Sequence, residues 1–578
     1  MASSLDVVGV SYTYPKAHTE ALHHVDLHFA ARSFTVVMGC TGAGRSTLLM
    51  TLNGVIPHLK AGTLEGRIVL DGVDLAGYRV QTITEYVGLV LQDSDSQLLG
   101  RTVAEDVAFG PRNYLVPRAE ILRRVHDCLV TVGLPGYEAR ETAQLSGGER
   151  QRLAIAGVLA LQPQVLCLDE PASELDPQGR AGIYATVDAL RGSAGSTIVA
   201  VEHTAADVIG RADHLVVLKD GRVSWQGHPA DFFRDAALVR ANGVKPVPLA
   251  VMGAELVAAG LIAPAEVPLD LDAADGLISR LRSGAILPAP SPPAARPGLT
   301  GDVVIEMCDL VHTFPGGHRG LAGVNLTVRR GDYVAIVGRN GAGKTTLLKH
   351  LNRLLDPTSG TVIITGRDTA GSQPWELADE VGYVFQNPDH QIFNATVADE
   401  VRYGLRQAGL PATEIEQRLD EVLERTGLDG VRGEHPYSLG KGERQRIAVA
   451  SILAQRPAIL VVDEPTTGQD WAGVEAMMAL IDRLHREGTT IVMVTHDLDL
   501  VAAHARRVVV MGDGLVVADG PTADVLRRTA LLAAAGVDTT QAVALSLRLW
   551  PDALPLLDDA ELGRHLAGAL ALGVPGAA

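Results

Sequence analysis

Residues 338–345, GRNGAGKT, set three glycines, a lysine and a hydroxyl side chain in the order that phosphate binding requires. Gly338, Gly341 and Gly343 let the loop curl so that backbone N–H groups point inward at a phosphate chain, with Asn340 in the same cradle. Lys344 would reach the β and γ phosphates. Thr345, followed by Thr346, would offer its hydroxyl to Mg²⁺ at the positively polarised start of a helix. The loop occurs again at residues 39–46, GCTGAGRS, where Gly39, Thr41, Gly42, Gly44, Ser46 and the following Thr47 repeat the pattern. There Arg45 replaces the lysine, keeping the charge on a planar and bulkier group whose fit in the loop does not follow from that of a compact ammonium.

Carboxylates, histidines and glutamines complete two matching sets. Asp169 and Asp463 end the apolar runs VLCLD and ILVVD, which puts them at the carboxyl edge of a parallel sheet beside the loop. An aspartate there can hold the hydration shell of Mg²⁺. The metal sets are thus Thr345, Gln386 and Asp463 in one case, and Ser46, Gln92 and Asp169 in the other. Glu170 and Glu464 follow directly, and a carboxylate so placed polarises water against a metal-bound γ-phosphate. His203 and His496 end STIVAVEH and TTIVMVTH and would face the same phosphate. A solitary Asp-Glu pair reads as a solvated strand end, and a solitary histidine as a surface or capping residue; the shared order argues for the site. Tyr14 and Phe314 precede the two loops and suit either adenine stacking or core packing.

Short apolar strands, a glycine loop and a helix start define the elements that position these groups, and all of them occur twice. Gln92 and Gln386, Leu145 and Leu439, and Asp169 and Asp463 stand 294 residues apart in each case. A constant offset over so many landmarks indicates duplication of a whole α/β domain rather than a short solenoid repeat. The expected organisation is a first domain over 1–240, a helical extension over 241–284, a linker over 285–300, a second domain over 301–525 and a second helical extension over 526–578. The linker carries five prolines between Pro288 and Pro297, a composition that favours an extended form over a packed core.

Composition narrows the function classes. The chain has 578 residues, with 47% apolar and 20% charged residues, ordinary values for a folded globular protein. Lys and Arg number 50 against 68 Asp and Glu, and the net charge of −18 argues against broad adhesion to nucleic acid. Four cysteines without C-x-x-C spacing indicate neither a zinc site nor a disulfide framework, and a reducing cytoplasm is the natural setting. The first residues lack a basic stretch followed by an apolar core, so no signal peptide is expected, and no clean apolar run of about twenty residues suggests a membrane span.

Glycine loop, glutamine, the QLSGGERQR and SLGKGERQR signatures, Asp-Glu strand end and histidine, in this order, resemble the ATPase subunits of ABC transporters. The resemblance covers both halves except linker and tail. The runs QDSDSQLLGRTVAEDVAFGP and QNPDHQIFNATVADEVRYG are similar to energy-coupling-factor (ECF) importers. That likeness implies two tandem P-loop domains, each with a mixed sheet core and a helical signature subdomain, binding ATP with Mg²⁺. It implies an intramolecular dimer in which Ser146, Gly147 and Gly148 complete the loop at 338–345. Gly440, Lys441 and Gly442 would face the loop at 39–46. Both departures, Arg45 and the Gly440-Lys441 pair, then fall on one composite site, which is expected to bind ATP and hydrolyse it slowly. The implied partners are a transmembrane coupling subunit and a substrate-capture membrane subunit, with the chain peripheral on the cytoplasmic face of the membrane. The implied cargo is a vitamin, a vitamin precursor or a transition metal. Two other classes compare less well. A twin ATPase of the ABC-F kind acting on ribosomes joins its halves by a charged helical arm, whereas residues 285–300 carry Arg296 alone as a charge; related DNA-repair ATPases carry zinc cysteines.

Overall fold

The computed structural model describes residues 3–572 apart from 16, 18, 173, 174, 176, 194, 195, 283–285, 291–300 and 468. Most of the proline-rich segment at 285–300 therefore lies outside the described residues. Backbone contacts divide the chain into two compact units, Met1–Val247 and Pro248–Ala578.

In the first unit a six-stranded sheet has the order Arg222–Gly227, His214–Lys219, Phe34–Gly39, Thr197–Val201, Val165–Asp169, Val87–Val90. All neighbours are parallel except the Arg222–Gly227 edge, so the sheet is mixed. The three central strands are rich in β-branched residues and buried throughout, as strands covered on both faces must be. A second sheet, antiparallel, runs in the order Leu22–Phe29, Leu5–Thr13, Thr63–Leu70, Val73–Asp74. Its apolar face and the helix Arg45–Leu52 share one core with the larger sheet. The helices Val103–Asn113, Arg118–Thr131 and Gly147–Leu159 pack on one another as a separate helical layer.

The second unit repeats the plan. Its six strands follow the order Val381–Val384, Ile459–Asp463, Thr490–Val494, Tyr333–Val337, Arg507–Gly512, Leu515–Pro521, the last antiparallel. The helices Val397–Gln407, Ala412–Thr426 and Lys441–Leu453 form the matching layer. Both units thus have the α/β architecture with mixed sheet and helical layer expected from sequence.

One difference concerns the first helical extension. The sequence reading attaches residues 241–284 to the first half, but the helices from Pro248 onward pack inside the second unit. Pro248–Ala258 lies on Asp559–Leu572, and Leu271–Leu281 lies on Gln541–Leu549. The physical reason is the sequence PLAVMGAELVA, which is apolar on most of its circumference and must bury more surface than a single neighbour covers. Contact is close at Gly563, where an added Cβ would lie 2.6 Å from the Met252 carbonyl oxygen. Arg564 to Glu255 at 3.2 Å and Arg548 to Asp272 at 2.9 Å flank the packed faces. The buried indole of Trp550 donates to the Leu287 carbonyl at 3.2 Å.

Candidate functional site

In the second unit the buried strand Tyr333–Val337 delivers the chain into the glycine loop, and the helix Lys344–Leu351 leaves it. Gly343, with φ of +98°, sits so close to the neighbouring strand that a Cβ would come within 2.5 Å of the Gly320 carbonyl oxygen. No other residue type fits there without displacing backbone. Lys344 is buried and its Nζ donates to the carbonyls of Gly338 at 2.7 Å and Arg339 at 3.0 Å, closing over the loop. Burial holds its ammonium below the ordinary lysine range, while Glu464 and Asp463 oppose that shift.

Asp463 is 2% exposed, and its Oδ1 finds no hydrogen-bond partner among the described residues. Its Oδ2 accepts from the Tyr383 hydroxyl at 3.2 Å. Burial pushes its carboxyl up from the usual carboxylate range, and the nearby Thr345 hydroxyl opposes that shift. A buried carboxylate oxygen without a partner, next to a hydroxyl, is a set of hard oxygen donors of the kind Mg²⁺ takes while keeping several waters. Glu464 stands one residue beyond, in left-handed backbone at φ +50°, and its Oε2 meets His496 Nδ1 at 2.8 Å. A glutamate held in this sparsely populated region is the kind of local strain that a functional geometry sustains.

The first unit places the same residue types differently. Ser46 donates to Asp169 Oδ1 at 3.2 Å, and burial raises the Asp169 carboxyl. Glu170 has φ of +49°, matching Glu464. Arg45, however, turns toward the glutamate and histidine. Its Nη1 lies 2.9 Å from His203 Nδ1 and its Nη2 lies 3.5 Å from Glu170 Oε1. His203 Nε2 meets Glu170 Oε1 at 2.5 Å, and Gln92 Nε2 donates to Glu170 Oε2 at 2.9 Å. The sequence pairs the two histidines as equivalents; the structure engages Nε2 with the glutamate in one and Nδ1 in the other.

The remaining expected residues fall as follows. Tyr14 donates to or accepts from Thr47 at 3.0 Å and meets Tyr12 edge-on at 4.8 Å. Phe314 packs edge-on against His312 at 4.6 Å and stacks with His318 at 6.2 Å. Gln386 is exposed at the end of its strand. Ser146 caps the helix Gly147–Leu159, its Oγ accepting from Glu149 N–H at 3.3 Å while Glu149 Oε2 accepts from Ser146 N–H at 2.8 Å. Gly440 keeps half of the arrangement, its N–H donating to Glu443 Oε2 at 3.0 Å, and has no hydroxyl to offer.

Sequence reasoning missed Tyr383 and Glu202. Tyr383 was hidden because an aromatic in a buried strand reads as core. Glu202 precedes His203 where the second unit has Thr495, and it is 4% exposed beside Tyr184 and Asp207. Burial pushes its carboxyl up to about 8. Because the folded value lies above the unfolded one, the folded chain retains a proton that the unfolded chain has already lost. Stability is full below the unfolded value and declines as pH rises toward about 8. Glu202→Gln should therefore gain about 2–3 kcal/mol relative to the parent between pH 6 and pH 8, read as melting temperatures across that range. A constant difference between the two proteins would refute the assignment.

The chain is similar to known proteins over most of its length. The ABC transporter family profile matches residues 22–173 and again 321–467. An ABC transporter ATP-binding protein, so named provisionally, from Caldanaerobacter subterraneus subsp. tengcongensis is 38% identical over 92% of this chain and 93% of its own. A provisionally named counterpart from Methanosarcina acetivorans is 38% identical over 91% of this chain and 87% of its own. The solved structure of cbiO1 from Clostridium perfringens, described as part of the ABC transporter complex cbiONQ, aligns at 34% identity. It covers 40% of this chain and 94% of that one, with a TM-score of 0.37.

Proposed function

Because the chain belongs to the ABC transporter ATP-binding proteins, with two tandem ATPase domains that bind and hydrolyse ATP, we propose that it is the energy-coupling subunit of an ECF-type importer for a micronutrient. The reading is carried by the two segments that follow Gln92 and Gln386. Each leads into a capped helix, Val103–Asn113 or Val397–Gln407, and each leaves large apolar side chains in solvent. Leu99 and Phe109 are exposed in one, and Phe393 and Tyr403, stacked edge-on at 4.8 Å, in the other. Apolar groups grouped at the glutamine ends are suited to receive helices of a membrane subunit. Among the described residues no helix is long and apolar enough to cross a membrane, so the spanning part belongs to partners in this reading.

Mg²⁺ would be held by Thr345, Gln386 and Asp463, and in the first unit by Ser46, Gln92 and Asp169. Bound there, the ion would neutralise charge on the β and γ phosphates. Lys344 orients the terminal phosphates, Glu464 takes a proton from the attacking water, and His496 holds the Glu464 carboxylate in place. From the family likeness we further take Ser146, Gly147 and Gly148, and Gly440, Lys441 and Gly442, as residues that contact nucleotide. Tyr14 and Phe314 serve as adenine platforms in this scheme. The test is purification of the tagged chain from gently solubilised membranes. Recovery with a multi-helix membrane protein is expected; recovery with ribosomes at modest salt instead would overturn the reading.

A further inference from the structure

The first unit contains a contact that its sequence alone does not announce. Arg45 occupies the position of the phosphate-binding lysine, yet its guanidinium lies among Glu170 and His203 and is 8% exposed. Lys344, its counterpart, lies over the loop carbonyls of Gly338 and Arg339. Length and shape account for the difference. A planar fork with donors on two edges can engage an imidazole nitrogen and a carboxylate oxygen together, which an ammonium with one nitrogen does less readily.

We propose that Arg45 is a positioning residue that clamps Glu170 and His203 together and so makes the first unit's site one that holds ATP without turning it over. ATP hydrolysis requires the water oxygen to bond to the γ-phosphorus while the bond from that phosphorus to the β,γ-bridging oxygen breaks. ADP leaves with the electron pair, and the water proton passes to a carboxylate. In the first unit both oxygens of that carboxylate are engaged. Oε1 faces His203 Nε2 at 2.5 Å and Arg45 Nη2 at 3.5 Å, and Oε2 accepts from Gln92 at 2.9 Å. An attacking water would have to compete with these three donors for the carboxylate oxygens. The histidine is committed as well. Arg45 Nη1 lies 2.9 Å from its Nδ1 and 3.3 Å from its Nε2, and Nε2, facing Glu170 Oε1 at 2.5 Å, is placed to give its proton to that carboxylate. Glu464 has the opposite relation, meeting His496 through Nδ1 at 2.8 Å on a ring that is 67% exposed.

The proposal rests on the reading of residues 39–46 as a nucleotide loop, and the test separates the two. In a Lys344→Ala background, the added Arg45→Lys change should raise ATP turnover at saturating ATP by about tenfold or more. A further Glu170→Gln change should abolish the gain. Equal turnover with and without Arg45→Lys, while ATP still binds in a fluorescent-nucleotide titration, would overturn the clamp. A Lys344→Ala parent that keeps most of the wild-type rate would instead overturn the assignment of the driving site. The unsubstituted chain gives an independent reading that does not depend on any variant folding. Long-range ¹H–¹⁵N spectra at pH 7.5, with His203 assigned by its loss in His203→Gln, should show the proton on Nε2, and a proton on Nδ1 would refute the arrangement.

Discussion

Glu464→Gln is expected to lower kcat for ATP hydrolysis by about a hundredfold or more while leaving ATP binding nearly intact. Positioned general bases contribute roughly 10² to 10⁴ to rate, and an amide cannot take the proton of the attacking water. The substitution is close to isosteric, so the carboxamide can keep a hydrogen bond to His496 Nδ1, now 2.8 Å from the carboxylate. Left-handed backbone at this position is already sustained by the fold, with the residue's N–H bonded to the Val494 carbonyl at 2.9 Å. Loss of activity would therefore report lost chemistry rather than lost structure. Steady-state phosphate release together with an equilibrium nucleotide titration distinguishes the two. A residual rate above about a tenth of the parent would exclude Glu464 as the principal base.

Lys344→Ala should remove most turnover through a different route. Charge-assisted hydrogen bonds to phosphate oxygens are worth about 1.5–3 kcal/mol each, so deleting the ammonium costs about tenfold to a hundredfold in ATP affinity and more in rate. Lys344 closes over its own loop, and burial already weakens its hold on the proton, a cost that an incoming phosphate would repay. The same change at Arg45 should leave most of the activity in place, because that side chain is engaged with Glu170 and His203. ATPase rates of Lys344→Ala and Arg45→Ala, measured side by side over a range of ATP concentrations, decide the matter. If Arg45→Ala were the more damaging change, the roles of the two units would have to be exchanged.

Much of this was legible in the sequence because the relevant signals are local. Three glycines and a lysine at fixed spacing specify a loop whose shape follows from backbone sterics, and the runs ending in Asp169 and Asp463 are too uniformly apolar to be anything but covered strands. What was not legible depends on direction rather than identity. Arg45 is a conservative exchange by charge, and only its side-chain course shows its contacts with Glu170 and His203. Tyr383 is indistinguishable from core until its hydroxyl is seen at Asp463. The grouping of Pro248–Ala258 with Asp559–Leu572 is a long-range choice between apolar helices that periodicity cannot make.

That last grouping governs the order in which the chain can acquire its structure. Pro248–Ala258 is made some three hundred residues before the helix that covers it, so during synthesis its apolar surface waits uncovered through the whole of the second ATPase domain. The first ATPase domain can close on its own strands as it emerges. The helical module cannot, and its early helices stay without their cover until residues 541–572 have been made.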